Sequence, residues 1–270
     1  MALLGLAVGA YGTIIGAGGG FVLVPLLLVF FPDYGPKEVT AISLAVVWAN
    51  ATSGSIAYAR ARRIDYVTGL LFAAASVPGV IAGALLVQYV EERLFSIMFG
   101  VMLLAIVGVL FTRRDATAIR EPLGAGGGVL VRTITTEQGV TYRYAYKIWQ
   151  GVVLSLIVGF ASSLFGIGGG VMNVPAMIVL FHVPVSFAVA TSQFVLAFMA
   201  GGGTIVHLAN GTLAGEAFRQ AIALGSGAIM GAQIGALISH RLSSRVVLRL
   251  LALALVALSA RLLLKGVLDV

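Results

Sequence analysis

Two runs of glycine are where this sequence offers chemistry. Gly16-Ala17-Gly18-Gly19-Gly20 precedes Pro25, and Gly166-Ile167-Gly168-Gly169-Gly170 precedes Pro175, every glycine and the proline recurring at a displacement of 150. Consecutive glycines leave their backbone N–H groups unshielded by side chains. Where such a run opens a helix, those donors lie at the positive end of the helix dipole, a ready site for an anion. The arrangement holds an oxyanion without a Lys or Arg at a bilayer centre, whose burial there costs several kcal/mol. A lone run is better read as a surface for close helix packing. Its recurrence in both halves favours binding, with Gly16, Gly18, Gly19, Gly20, Gly166, Gly168, Gly169 and Gly170 as the candidates.

Hydroxyls and amides must supply further donors. Ser43, Asn50 and Ser53 in the first half, and Asn173, Ser192, Gln193 and Thr204 in the second, are the candidates, with Thr52, Ser55 and Thr191 beside them. Each hydroxyl has a competing use in bonding its own helix at i−4. Asn173 stands where the first half has Leu23, so the pocket is expected to be asymmetric. His207, equivalent to Tyr58, has a side chain that ordinarily titrates near neutrality and is the candidate for proton coupling; its place near a helix end better suits a solvated histidine. With no Cys, three His and scattered carboxylates there is no catalytic set, no metal-ligand cluster and no expected cofactor. A dinucleotide fingerprint fails at Phe21, where its third glycine would fall, and no Walker-type phosphate loop occurs.

The elements that position these residues follow from composition. Of 270 residues, 60% are hydrophobic and 10% charged, and mean hydropathy is +1.06, which excludes an ordinary water-soluble enzyme. Thirty-five glycines with only 7 prolines and no G-X-Y period point to helices packed through small residues. The 17 Lys and Arg, against 10 Asp and Glu, sit at helix ends and in one central loop, as in a membrane protein oriented by its cytoplasmic loops and not in a nucleic-acid-binding module. Apolar runs fall at 2–31, 38–59, 66–90, 94–111, 147–181, 185–208, 216–238 and 246–264. The first lacks a basic flank and reads as mature structure, not a signal peptide. As one helix, 147–181 would be about 52 Å long against a hydrocarbon core near 30 Å. It and 2–31, each interrupted by glycines, are therefore expected to be broken-helix hairpins.

Basic residues assign the sides. Arg60, Arg62 and Arg63 put their connection in the cytoplasm, as do Arg113, Arg114, Arg120, Arg132, Arg143 and Lys147 in the central loop, and His240, Arg241 and Arg245 after residue 238. The runs 185–208 and 216–238 cross once each between two inside loops, so 147–181 must enter and leave on one side, and the same count applies to 2–31. In the central loop, β-branched and aromatic runs at 129–135 and 140–146 flank Thr136-Glu137-Gln138-Gly139 and predict a cytoplasmic β-hairpin, with 124–128 as a flexible glycine lead-in. The two halves also match elsewhere. Ser43 answers Ser192, residues 53–56 answer 202–205, and 78–84 answer 230–236, with displacements drifting only between 149 and 152. Such order indicates duplication. A hairpin plus three crossings in each half makes the repeats inverted, a sequence pointer to a secondary transporter.

These paired motifs, one near the start of each half, with a charged loop between, resemble the TauE/SafE sulfite exporter family, also called the toluenesulfonate uptake permease family. The resemblance covers the chain except the loop 113–146. It implies a permease of the cell membrane for small sulfur-containing or carboxylate anions such as sulfite, sulfoacetate or other organosulfonates. The expected architecture is an all-α polytopic membrane protein of two inverted repeats, 1–112 and 147–270, each a broken-helix hairpin plus three transmembrane helices, with a small cytoplasmic β-hairpin at 113–146. Expected partners are the anion and the lipid bilayer, with no nucleic acid. A homodimer stays open, as do an anion channel with the same pore and a non-transporting membrane scaffold or assembly protein.

Overall fold

The computed structural model describes residues 1–112, 128–135, 141–239 and 241–268. The expected turn at 136–139, the glycine lead-in at 124–127 and His240 lie outside the described residues.

Both long apolar runs break where the glycines stand. α1 (Ala2–Ile15) ends as Gly16 turns left-handed at φ 73°, and the N–H groups of Ala17 and Gly18 fold back onto the Gly12 carbonyl at 2.8 and 3.1 Å. α2 (Gly20–Phe30) begins after Gly18 and Gly19 hold φ of 71° and 84°. In the second run, Gly166, Gly168 and Gly169 at φ 68°, 77° and 83° separate α6 (Ile148–Phe165) from α7 (Gly170–Phe181). A residue with a Cβ is strained at each of these angles, so three left-handed turns within four residues call for glycine.

The remaining helices are α3 (Pro36–Arg60), α4 (Tyr66–Leu86, prolonged by a 3-10 turn to Tyr89), α5 (Glu92–Thr112), α8 (Val185–Ala209), α9 (Gly215–Ser239) and α10 (Ser244–Leu268). Among the described residues, α3, α4, α6, α8, α9 and α10 are long and apolar enough to cross a membrane. The protein is a multi-pass α-helical protein of the cell membrane. α1, α2 and α7 have 14, 11 and 12 residues. Twelve residues rise about 18 Å, little over half the hydrocarbon thickness, so such an arm must find its polar partners inside the protein.

Small residues decide which helices touch. α9 lies along α1 and α4 along α6, while α3 packs on α8 and α9, α8 on α4, and α5 on α10. A Cβ on Gly79 or Gly83 of α4 would overlap the Leu156 or Phe160 carbonyl of α6, and one on Gly231 or Gly235 of α9 would overlap the Leu6 or Ala10 carbonyl of α1. Glycines four apart thus bring two backbones into direct contact.

In the central loop, β1 (Val129–Thr135) pairs antiparallel with β2 (Thr141–Lys147), Arg132 opposite Tyr144, and β2 runs directly into α6. This hairpin is docked on the helices. The Tyr146 ring lies 4.7 Å from Phe181 at the end of α7 and 5.9 Å from Phe72 of α4.

Candidate functional site

The two glycine tips meet. The Ser43 hydroxyl of α3 donates to the Gly166 carbonyl at 2.6 Å, and the Ser192 hydroxyl of α8 donates to the Gly16 carbonyl at 3.0 Å. Each tip is therefore held by a serine from the opposite half. Contact between the tips is just as close: a Cβ on Gly20 would sit 2.6 Å from the Gly166 carbonyl oxygen, and one on Gly170 would sit 2.6 Å from the Ala17 Cα. Neither α2 nor α7 has a side-chain cap at its start. The N–H groups of Gly20 and Phe21, and of Gly170 and Val171, are first-turn donors to which a helix offers no acceptor of its own.

Two members of a small apolar cluster, Val47 and Leu196, crowd the tips. Leu44, Val47 and Ala51 of α3 and Leu196 and Ala200 of α8, all fully buried, form a cluster apart from the main core. A Cβ on Gly18 would fall 2.5 Å from Leu196 and 2.9 Å from Val47, and Gly168 is crowded by the same two side chains. The residues were not foreseen, because a Val or Leu in an apolar helix carries no signal of its own. Val47 and Leu196 carry one mark, position: each follows a tip-binding serine by one helical turn, Ser43 to Val47 and Ser192 to Leu196.

The other candidates divide. Asn50 is fully buried at the centre of a network: its Oδ1 accepts from Thr13 Oγ1 at 3.0 Å and Gln193 Nε2 at 2.9 Å, and its Nδ2 donates to the carbonyls of Gly9 and Ala228 at 2.9 and 3.2 Å. Ser53 donates to the Ile229 carbonyl and accepts from Gln233 Nε2, both at 2.8 Å. Thr204 bonds back to Ala200 at i−4. Asn173 lies against the Met199 sulfur at 3.9 Å, with its Oδ1 buried and without a partner among the described residues. Thr52 and Ser55 line a separate, mostly apolar crevice of about 440 Å³ with Trp48, Phe194 and Phe198. The expectation of a solvated His207 is overturned: the residue is 1% exposed, and neither ring nitrogen has a hydrogen-bond partner among the described residues. Distance from a helix end measures depth along the axis and says nothing about which face is covered.

Comparison with known proteins now bears on this geometry. A family model described as "Sulfite exporter TauE/SafE" matches residues 1–262. The chain belongs to the TauE/SafE family. Among relatives of this TauE/SafE chain, the probable membrane transporter protein YunE of Bacillus subtilis is 32% identical over 99% of this chain and 97% of its own length. The probable membrane transporter protein MJ0441 of Methanocaldococcus jannaschii is 27% identical over 78% of this chain and 72% of its own length. The protein is accordingly a membrane transporter by family. No solved structure is significantly similar to it.

In this TauE/SafE chain the β-hairpin is wired to the tips. Asp65, whose side chain is fully buried, caps α4 through Val67 N and Thr68 N, pairs with Arg132 Nη2 at 2.8 Å and accepts from the hydroxyls of Tyr144 and Thr68. Its backbone N–H donates to Thr191 Oγ1 at 3.0 Å, one residue before the serine that holds Gly16. Burial alone would raise the Asp65 carboxyl, but hydrogen bonds from Arg132, Tyr144 and Thr68 outweigh it and hold the group below the usual carboxylate range. A depressed carboxylate stabilises the fold above its unfolded pKa, near 3.9, and loses that contribution as pH falls through its folded value. Arg132→Ala is expected to cost on the order of 3 kcal/mol at neutral pH, since it strips a partner from a buried charge. Melting temperatures of wild type and Arg132→Ala should converge as the medium is acidified well below pH 4. An unchanged gap between them would show that the carboxylate charge is not what Arg132 serves.

Proposed function

We propose that the protein is a secondary carrier for small oxyanions, sulfite, sulfoacetate and other organosulfonates among them, working by alternating access without chemical change to the cargo. One observation carries the reading: two helix N-termini without side-chain caps, α2 and α7, face each other inside the membrane-spanning bundle. Their dipoles and free N–H groups suit a negative charge, and the glycines let an oxygen approach the backbone. The inverted-repeat reading is supported by the matched backbone angles of the two tips and by the reciprocal Ser43 and Ser192 bonds. The crowding of both tips by Val47 and Leu196 favours a carrier over an open channel, because these side chains leave no wide pore between the tips.

A thermal-shift series on the purified protein tests this reading. A ligand that binds only the folded state raises apparent stability by RT ln(1 + [L]/Kd). Sulfite, sulfoacetate, taurine, thiosulfate, formate and sulfate are the probes, followed by flux of the stabilising anion into proteoliposomes. An absence of both stabilisation and flux across the series would overturn the oxyanion assignment.

A further inference from the structure

Two equivalent helix faces, one in each half, treat their buried polar groups in opposite ways, although Ser55 and Ser96 elsewhere in the first half are also unpartnered among the described residues. On α3, Asn50, Gly54 and Tyr58 recur every four residues and so share one face. That face is bonded shut: Asn50 holds Thr13 and Gln193, and Tyr58 OH donates to the Thr13 carbonyl at 2.9 Å. Among the described residues, Gln193 Oε1 is the one atom of these groups without a partner. The equivalent face of α8 carries Met199, Gly203 and His207, each displaced by 149 from its counterpart. Around it the polar atoms go unmet. Ser162 Oγ, Ser163 Oγ, Asn173 Oδ1 and both His207 nitrogens are buried without a partner among the described residues.

These atoms form a line. A Cβ on Gly169, the residue just before α7, would lie 3.0 Å from the Met199 sulfur and 3.3 Å from Ser162 Cβ, and Asn173 touches the same sulfur. One turn along α8, a Cβ on Gly203 would lie 2.9 Å from Ser163 Oγ. One turn further is His207, whose carbonyl accepts from the N–H of Thr212, and Thr212 Oγ1 is also buried and unpartnered. An unmet buried polar atom costs about 1–3 kcal/mol, and such groups in native proteins are ordinarily satisfied by protein or water. A row of them calls for a polar visitor. Packing alone does not require it, since the first half fills the matching places with Gly12, Leu23 and a closed network.

We infer that the row from Asn173 and Ser162 through Ser163 and His207 to Thr212 is the half-channel by which the oxyanion travels between the α7 tip and the α8–α9 connection, the first half's counterpart being a structural strut. Hydroxyl, amide and imidazole groups pass a hydrated oxyanion without trapping it, as a fixed positive charge would. The inference rests on the carrier reading and deepens it by making the two halves functionally unequal.

The chain contains no Cys, so single cysteines report cleanly. Ser163→Cys, His207→Cys and, in the first half, Thr13→Cys would be treated in proteoliposomes with the sulfonate-bearing thiol reagent 2-sulfonatoethyl methanethiosulfonate. Ser163→Cys and His207→Cys should react roughly tenfold or more faster than Thr13→Cys, which is exposed only during local opening. Asn173→Leu, which imports the first half's residue, should cut sulfoacetate flux while leaving the melting temperature near that of wild type. Equal labelling at all three positions, or inert Ser163→Cys and His207→Cys in a protein that transports, would overturn the half-channel and leave the carrier reading standing. The labelling contrast without flux of any probe anion would instead overturn the carrier reading.

Discussion

Gly170→Ala is expected to abolish transport. At the first position of a helix the change would ordinarily be neutral or help by up to about 1 kcal/mol, because alanine loses less entropy than glycine. Here the new Cβ falls on the Gly16 carbonyl and 2.6 Å from the Ala17 Cα, and both are backbone, so the clash is relieved only by moving the tips apart. Gly20→Ala is the mirror experiment, with its Cβ 2.6 Å from the Gly166 carbonyl oxygen. Flux into proteoliposomes should fall to background for both, with a lowered melting temperature. Gly225→Ala, whose Cβ would meet only the Ala49 Cβ at 3.6 Å, serves as the control and should keep both flux and stability. Wild-type flux in Gly170→Ala would mean that apposed tips are not required for transport.

Asn50→Leu should produce the largest loss of stability among side-chain changes in the bundle. The substitution keeps the volume roughly constant and deletes four hydrogen bonds at once, leaving Thr13 and Gln193 buried without their shared acceptor. Each stranded polar group costs about 1–3 kcal/mol, so a total on the order of 3 kcal/mol or more is expected. The repeat-related position shows how an apolar version is built: where this network joins Asn50 of the first half to Gln193 of the second, the counterparts are Met199 of the second half and Leu44 of the first. The double variant Asn50→Met with Gln193→Leu should therefore lose less than the sum of its single changes, a coupling readable in a double-mutant cycle of detergent melting. A single-variant loss within about 0.5 kcal/mol of zero would place Asn50 among ordinary surface positions and contradict the network.

The helix breaks were readable because length and composition conflicted: a run too long to cross the bilayer once had its glycines where a reversal was needed. The hairpin was readable from β-branched and aromatic runs, and β2 extends one residue past the expected 146, to Lys147. The targets of the polar side chains were not readable. Ser43 and Ser192 stood out as paired hydroxyls, yet sequence does not reveal that each spends its proton on the other half's tip carbonyl. Thr13, one hydroxyl in an apolar helix, gave no hint that it joins Asn50 and Gln193. Asp65 carries no signal in the sequence, because its partner Arg132 lies 67 residues away in a different kind of structure.

The embrace of α1 by α9 also sets the order of manufacture. Asn50 obtains the Ala228 carbonyl only after 178 further residues have been made, which at ribosomal speeds of 5–20 residues per second is on the order of ten seconds or more. Through that interval the glycine face of α1 and the Asn50 amide sit among lipids or insertion machinery with their final partner unborn. Assembly within the bilayer is therefore a late event that waits on α9, and a nascent chain stalled before it presents membrane quality control with an uncovered polar seam.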